Sequence, residues 1–387
     1  MRSRWVALWL SLLQACASTD MQVDMSARAR LEQQLDSLIA KGDELGIQYV
    51  AVSDSENLFD YAGGVTDAAG GAKVTPQTQF MSASSTKAIT AAAVLKLVAA
   101  GALQLSDPVS RYVPYHPYGE RVTIAHLLNH SSGVPNPMPL KWVHTQAEHA
   151  RFDEDAALRA QLTSHPKLDF EPGERYGYSN LSYWLLGRVI EAVAHTDYAT
   201  YVQRELLEPL NITAQDMSFQ ISGQVPQARG HLPRWSLFGL IVPLMAESKI
   251  MAAASGRWLR FEYLYMNGPA YGGMRATARG YALFLQDLLQ PSSRILTAEG
   301  KRLLFTPQTD NKGRALPTTF GFHTGELDGV PYISKPGGGP GFNSNLRIYP
   351  SRKLATVYLS NQMRATEASI QRFSDNLDRH LVASRPH

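Results

Sequence analysis

Hydrophobic positions recur with two different periods along the chain, and the changeovers between them outline its organisation. Leucines at 31, 35 and 38 within 27–41 keep a helical spacing. The segments 46–53 (GIQYVAVS) and 58–63 are rich in β-branched and aromatic residues and flank the polar turn Asp54-Ser55-Glu56-Asn57, which predicts two short strands. The alanine-rich stretch 84–102 (SSTKAITAAAVLKLVAAGA) opens on serines fit for an N-cap and closes near Gly101, the strongest helix signal in the chain. From 103 to 270 helical patterns alternate with proline-rich loops and show little strand character, with helices predicted at 180–194 and 198–207. The segment 277–289 is amphipathic again. Strands return at 318–324, 330–334, 345–349 and 354–360, and 365–381 closes as a helix. This order predicts an α+β fold: one antiparallel sheet built from both chain ends (27–102 and 271–387), flanked by helices, with 103–270 inserted as a helical lobe.

Composition supports a folded chain. Of 387 residues 18% are charged and 44% hydrophobic, and no repeat or low-complexity tract interrupts them. The single cysteine, Cys16, excludes an intrachain disulfide and clusters of several zinc-bound thiolates. Its surroundings are informative. Arg2 and Arg4 precede the apolar run 5–13 (WVALWLSLL), too short to span a bilayer, and Leu13-Gln14-Ala15-Cys16 follows. The pattern predicts an export signal over 1–15, and the tetrapeptide resembles a bacterial lipobox. On that reading Cys16 is lipidated, 16–26 forms the lipidated residue and its tether, and the protein is held at a membrane in the periplasm or on the outer surface. A plain signal peptide that happens to contain a cysteine is the alternative. Cleavage before Cys16 removes two arginines and no acids, so the formal charge of +3 falls to 35 basic against 34 acidic residues. With no Lys/Arg-rich run, a nucleic-acid partner is excluded. A second apolar stretch, 235–246 (WSLFGLIVPLMA), has only twelve residues and contains Pro243. It predicts either a buried segment of the helical lobe or an apolar wall, lid or membrane-facing surface near the cleft.

Few catalytic patterns survive inspection. No serine lies in a G-x-S-x-G context, and no glycine pattern for dinucleotides or phosphates follows a strand. His126 and His130 are four apart but Leu127 breaks the zinc-protease motif, and His144 and His149 are five apart. What remains is S-x-x-K, present twice. In Ser84-Ser85-Thr86-Lys87 one helical turn brings serine and lysine to one face at a helix N-terminus, where free N–H groups favour negative charge on oxygen. In Ser164-His165-Pro166-Lys167 the proline interrupts the spacing and no helix opens there. Tyr178-Ser179-Asn180, ahead of a helix, supplies a phenol and an amide. Tyr265-Met266-Asn267 repeats the triplet elsewhere. The only Lys-x-Gly, Lys335-Pro336-Gly337, opens the glycine-rich turn up to Phe342.

Ser84-x-x-Lys87, Tyr178-x-Asn180 and Lys335-x-Gly337, in that order, resemble the three motifs of the class C β-lactamase and penicillin-binding-protein superfamily of serine hydrolases. The runs 123–133 (TIAHLLNHSSG), 171–187, 272–285 and 337–342 are similar to further stretches of that family, so the likeness covers about 30–362. The resemblance implies a β-lactamase/transpeptidase-like fold, no cofactor, and a mechanism. Ser84 attacks a carbonyl and forms an acyl-enzyme. Lys87 accepts its proton, directly or through Tyr178, and Tyr178 serves the leaving group. Asn180 orients Lys87 and the acyl chain. The backbone N–H groups of Ser84 and Gly338 form an oxyanion hole, and Lys335 either keeps Tyr178 acidic or binds a substrate carboxylate beside Gly337. Two departures stand out: Pro336 replaces the usual threonine of the third motif, and Gly280 replaces the aspartate after Thr277-Ala278. The expected substrates are esters or small amides. β-Lactams or D-alanyl-D-alanine-type and D-aminoacyl peptides are the alternative, and a non-catalytic penicillin-recognising lipoprotein is the reading from another class.

Overall fold

The computed structural model describes residues 25–137 and 142–384. The export signal, Cys16 and nearly all of the tether lie outside the described residues. The chain opens with helix α1 (Met25–Ala40) and the hairpin β1 (Gly46–Ser53) and β2 (Asn57–Gly64). Helix α2 (Thr86–Ala99) follows, and the chain then crosses the helical middle through α3 (Asn180–Ala194) and α4 (Leu237–Met245). It returns through α5 (Ala278–Leu289) to the strands β3 (His323–Leu327), β4 (Val330–Gly339), β5 (Phe342–Tyr349) and β6 (Leu354–Ser360), and ends on α6 (Glu367–Val382). The six strands form one antiparallel sheet in the order β3-β4-β5-β6-β1-β2, so the two chain ends meet where β1 pairs with β6.

Every residue of β1, β5 and β6 is buried, because helices cover both faces of the sheet. The period-two pattern then sorts side chains between two apolar cores. Ile47, Tyr49 and Ala51 pack with Leu31 and Leu35 of α1 and Leu377 and Leu381 of α6. Val50 and Val52 point to the opposite face, which α5 covers with Phe284, Leu285 and Leu288. α2 is buried from Thr86 to Leu95 with almost no polar stripe, as expected of a helix enclosed in a core.

Four expectations shift. The serines before α2 do not cap it: Ser84 lies in a 3₁₀ turn (Ala83–Ser85), and the Ser85 hydroxyl donates instead to the Lys335 carbonyl at 2.8 Å. The strand predicted at 318–324 begins at His323, because 318–322 is a turn in which Thr319 N–H donates to the Phe322 carbonyl. At its Gly321 (φ +86°) a Cβ would lie 2.5 Å from the Ala91 methyl of α2. The glycines after Lys335 are not a loop but the end of β4, and the turn itself is Pro340-Gly341. The helical middle also contains strands, including a small antiparallel sheet of His231–Pro233, Met251–Ser255 and Trp258–Phe261. These segments are three to five residues long, too short for alternation to register.

Candidate active site

Three elements converge on Ser84. The first is the 3₁₀ turn that enters α2. Ala83, the residue before Ser84, holds a left-handed backbone (φ +46°), unusual for a residue with a Cβ and a mark of a site where the chain is held tightly. One turn on, Lys87 Nζ lies 3.2 Å from Ser84 Oγ, so the spacing inferred from the motif is realised. The second S-x-x-K ends the helix Glu154–Ser164 and takes no part.

The second element is the entry to α3. Ser179 caps this helix, its hydroxyl accepting from Ser182 N–H at 3.1 Å, which leaves Tyr178 just outside and Asn180 as the first helical residue. Tyr178 OH lies 2.7 Å from Ser84 Oγ, and Asn180 Oδ1 accepts from Lys87 Nζ at 2.7 Å. His130 secures this entry: its Nδ1 accepts from Ser179 N–H at 3.2 Å and its ring lies 4.5 Å, centroid to centroid, from that of Tyr178. The triplet at 265–267 is not part of the proton-handling cluster: the Tyr265 hydroxyl accepts from Ile221 N–H at 2.9 Å.

The third element is the edge of β4 that β3 leaves unpaired. β3 pairs with β4 only as far as His323 opposite Ser334, so residues 335–339 have no strand on that side. The Ser82–Ser85 turn takes the place of one. A Cβ on Gly337 would lie 2.4 Å from the Ser82 carbonyl oxygen and 2.3 Å from Ser344 Oγ, which is why a glycine stands there. Gly338 borders the same cavity as Ser84.

Electrostatics follow from burial. Lys87 is fully buried, and its ammonium is held well below the usual lysine range, first by loss of water and second by repulsion from Lys335. A neutral amine has two hydrogens and one lone pair. The Asn180 side-chain carbonyl and the Tyr271 backbone carbonyl, each at 2.7 Å, take both hydrogens, which leaves the lone pair for Ser84. Burial raises the Tyr178 phenol above its usual range, partly offset by its bond to Ser84, so at rest it is a neutral hydroxyl. This differs from the acidic tyrosine that the resemblance implies. Lys335 Nζ stands 5.0 Å from the centre of the Tyr178 ring, over its face and not at its oxygen.

Lys335 itself is only 1% exposed, and burial lowers it to about 8. Its Nζ lies 3.2 Å from His323 Nε2, and His323 Nδ1 lies 2.6 Å from Glu367 Oε1. Burial and Lys335 lower His323, so the ring is neutral, with its Nδ1 hydrogen on Glu367 and its Nε2 lone pair turned to the Lys335 ammonium. Neither His323 nor Glu367 lies in a motif. Their only sequence signal is a histidine two residues after Gly321 and a carboxylate in the first turn of the last helix. Tyr271 contributes a backbone oxygen, which no side-chain pattern reveals.

On the other side of Ser84 opens a cavity of about 240 Å³. Its walls are Val143, Phe238, Val242, Ile250, Phe261 and Met266, closed by Gly338 and Gly339 near the serine. Phe238 and Val242 come from α4, the apolar run picked out in the sequence. Gly280, by contrast, is a packing residue: a Cβ there would meet Met217 Cγ at 2.7 Å.

The β-lactamase family model matches residues 30–377. Penicillin-binding protein 4* of Bacillus subtilis is 25% identical over 328 residues, which is 82% of this chain and 68% of that protein. Protein flp of Staphylococcus aureus is 32% identical over 191 residues, 47% of this chain but only 37% of its own length. Among solved structures, the D-amino acid amidase of Ochrobactrum anthropi SV3 superimposes with a TM-score of 0.76 at 19% identity, covering 92% of this chain and 99% of that one. The octameric penicillin-binding protein homologue of Pyrococcus abyssi gives 0.72 at 22% identity over 89% and 76%. At these identities the structural likeness establishes the antiparallel sheet with its flanking helices. With the family model spanning nearly all of the described residues, the chain belongs to the β-lactamase family of serine hydrolases.

Proposed function

We propose that the protein is an exported serine hydrolase that forms an acyl-enzyme on Ser84 and hydrolyses esters with an apolar acyl or alcohol group. The observation that carries this reading is the cavity beside Ser84, whose walls are almost entirely aliphatic or aromatic. Two further features favour it over carboxylate-bearing substrates. Lys335 is screened by Tyr178 and His323, and Pro336 supplies no hydroxyl.

In the proposed reaction Ser84 Oγ bonds to the ester carbonyl carbon as its proton passes to the lone pair of Lys87. The carbonyl oxygen becomes an oxyanion, held by the backbone N–H groups of Ser84 and Gly338; one such donor contributes on the order of a hundredfold or more in rate. Collapse of the adduct breaks the bond to the alcohol, which leaves with a proton relayed from Lys87 through the Tyr178 hydroxyl. Water then attacks the acyl-enzyme by the same groups in reverse and restores Ser84. Asn180 keeps Lys87 aimed throughout. Lys335 acts from behind Tyr178, where its charge disfavours a second ammonium at Lys87.

The similarity to penicillin-binding protein 4* supports a second reading, in which the same serine opens a β-lactam, and the fold shared with a D-amino acid amidase extends that reading to cleavage of a D-aminoacyl bond. A chromogenic short ester, a chromogenic cephalosporin, a D-aminoacyl anilide and a fluorescent penicillin, each assayed beside Ser84→Ala, separate these. Ester turnover that vanishes in Ser84→Ala is the expected result. Turnover of only the cephalosporin or the anilide supports the second reading. Stable penicillin labelling without turnover supports a binding protein, and ester hydrolysis unchanged in Ser84→Ala overturns the mechanism. Lipidation of Cys16 belongs to the same proposal. Metabolic labelling with a palmitate analogue, lost in Cys16→Ser, is its expected signature.

A further inference from the structure

Helix α4 is apolar on both faces. Its inner face lines the cavity beside Ser84 through Phe238 and Val242. Its outer face carries Leu237, Leu240, Ile241 and Leu244, spaced as one side of a helix, with Trp235 before them and Met245 after. All six are exposed, Leu244 by 85% and Trp235 by 75%. They make up six of the eight large apolar side chains exposed among the described residues. A helix that is hydrophobic all round belongs in an apolar medium on both sides, and here the protein supplies only one.

The rim of the patch indicates the other medium. Arg234 stacks over the exposed Trp235 at 5.2 Å, and Arg257, on the adjoining hairpin, adds a second exposed guanidinium above the buried Trp258. Tryptophan and arginine bordering an aliphatic face match the headgroup level of an anionic phospholipid surface. The chain ahead of α1 can reach the same plane. Arg234 N–H donates to the Arg257 carbonyl, and Arg257 in turn donates to the carbonyl of Gly42, just past the end of α1. α1 has 16 residues, about 24 Å, and a ten-residue stretch such as Cys16 to Met25 can span at most roughly 30 Å. An acyl anchor on Cys16 is therefore long enough to let α4 touch the bilayer that holds it.

We infer that α4 docks on an anionic phospholipid surface with its outer face and forms the acyl pocket with its inner face, so that the substrates are esters of fatty acyl chains drawn from the membrane. The substrate class rests on the ester reading above; the docking does not. A long acyl chain leaving the bilayer then meets Val242 and Phe238 before Ser84 without crossing water.

The test uses the full-length chain carrying Cys16→Ser, so that no acyl anchor forms, with and without Leu237→Ser, Leu240→Ser and Leu244→Ser together. Any contribution of residues 5–13 is common to both proteins and cancels. Flotation with vesicles of phosphatidylethanolamine and phosphatidylglycerol is expected to show a partition coefficient lower in the triple variant by about tenfold or more. Hydrolysis of a vesicle-embedded long-chain ester falls in parallel, while hydrolysis of a short soluble ester stays within about twofold, which also shows that the variant folds. Equal partition of the two proteins overturns the inference. So does a parent dimer that the substitutions split without changing partition, since α4 would then be covered by a second copy. A parent that floats in the α4-dependent way yet hydrolyses neither ester leaves docking standing and overturns the ester reading.

Discussion

The two sides of Ser84 are built by opposite rules. Towards α3 the reacting polar groups are buried and held by specified partners: Lys87 reaches Ser84, Asn180 and the Tyr271 carbonyl, and Lys335 reaches His323. Towards α4 apolar groups surround a cavity and continue onto the surface, with no directional contact between them. Hydrogen bonds in a buried site are lost whole when one partner is removed, whereas apolar walls deform in small steps. The first side should therefore govern whether the reaction proceeds, and the second which substrate it accepts.

Each prediction tests that division, and the largest effect comes first. Lys87→Ala removes the proton acceptor and is expected to lower kcat/KM for a short ester by about 10²–10⁴-fold, measured by steady-state kinetics. Tyr178→Phe keeps the ring against His130 but removes the hydroxyl, and should cost on the order of a hundredfold, with KM little changed. The pH profile separates the lysines. Activity rises with pH as Lys87 loses its proton. Lys335 repulsion helps to hold Lys87 low, so Lys335→Met should move this acid limb of kcat/KM to higher pH. A limb that stays in place would sink the role given to Lys335. The smallest effect is Val242→Ala, which widens the cavity and should alter the ratio of long-chain to short-chain ester kcat/KM by a few-fold, about 1 kcal/mol or less. Combined with Lys335→Met it should add within about 0.5 kcal/mol, and a larger coupling would show that the two sides are not independent.

The polar side of the site is more legible in the sequence than the residues that support it. Ser84 and Lys87 are separated by a single turn, and Tyr178 and Asn180 flank a capping serine, so local periodicity is enough to place them. β1 and β6 are legible to the residue because their burial is uniform, and α3 because a capping serine marks its start and an apolar run continues from it. His323 and Glu367 meet only because β3 and the start of α6 are brought to one end of the sheet, a contact across 44 residues that no spacing rule encodes. The turn at 318–322 looks like a strand because Thr318, Thr319 and Phe320 favour extended structure; packing of Gly321 against α2 decides otherwise. The apolar run 235–246 is evident in composition, but which of its faces meets the cavity depends on where its helix starts, at Ser236, whose hydroxyl accepts from Gly239 N–H.

β4 has one last implication. The strand that lends Gly338 to the cavity is also held along its other edge by β5, from Ile333 to Gly339. The catalytic end of that strand therefore has no hinge of its own. In native-state hydrogen exchange its amides should open only with the sheet as a whole, and in a denaturant titration activity and tertiary structure should be lost at one midpoint. A chemist wishing to loosen this site would have to work from α4, because β4 yields only when the whole domain melts.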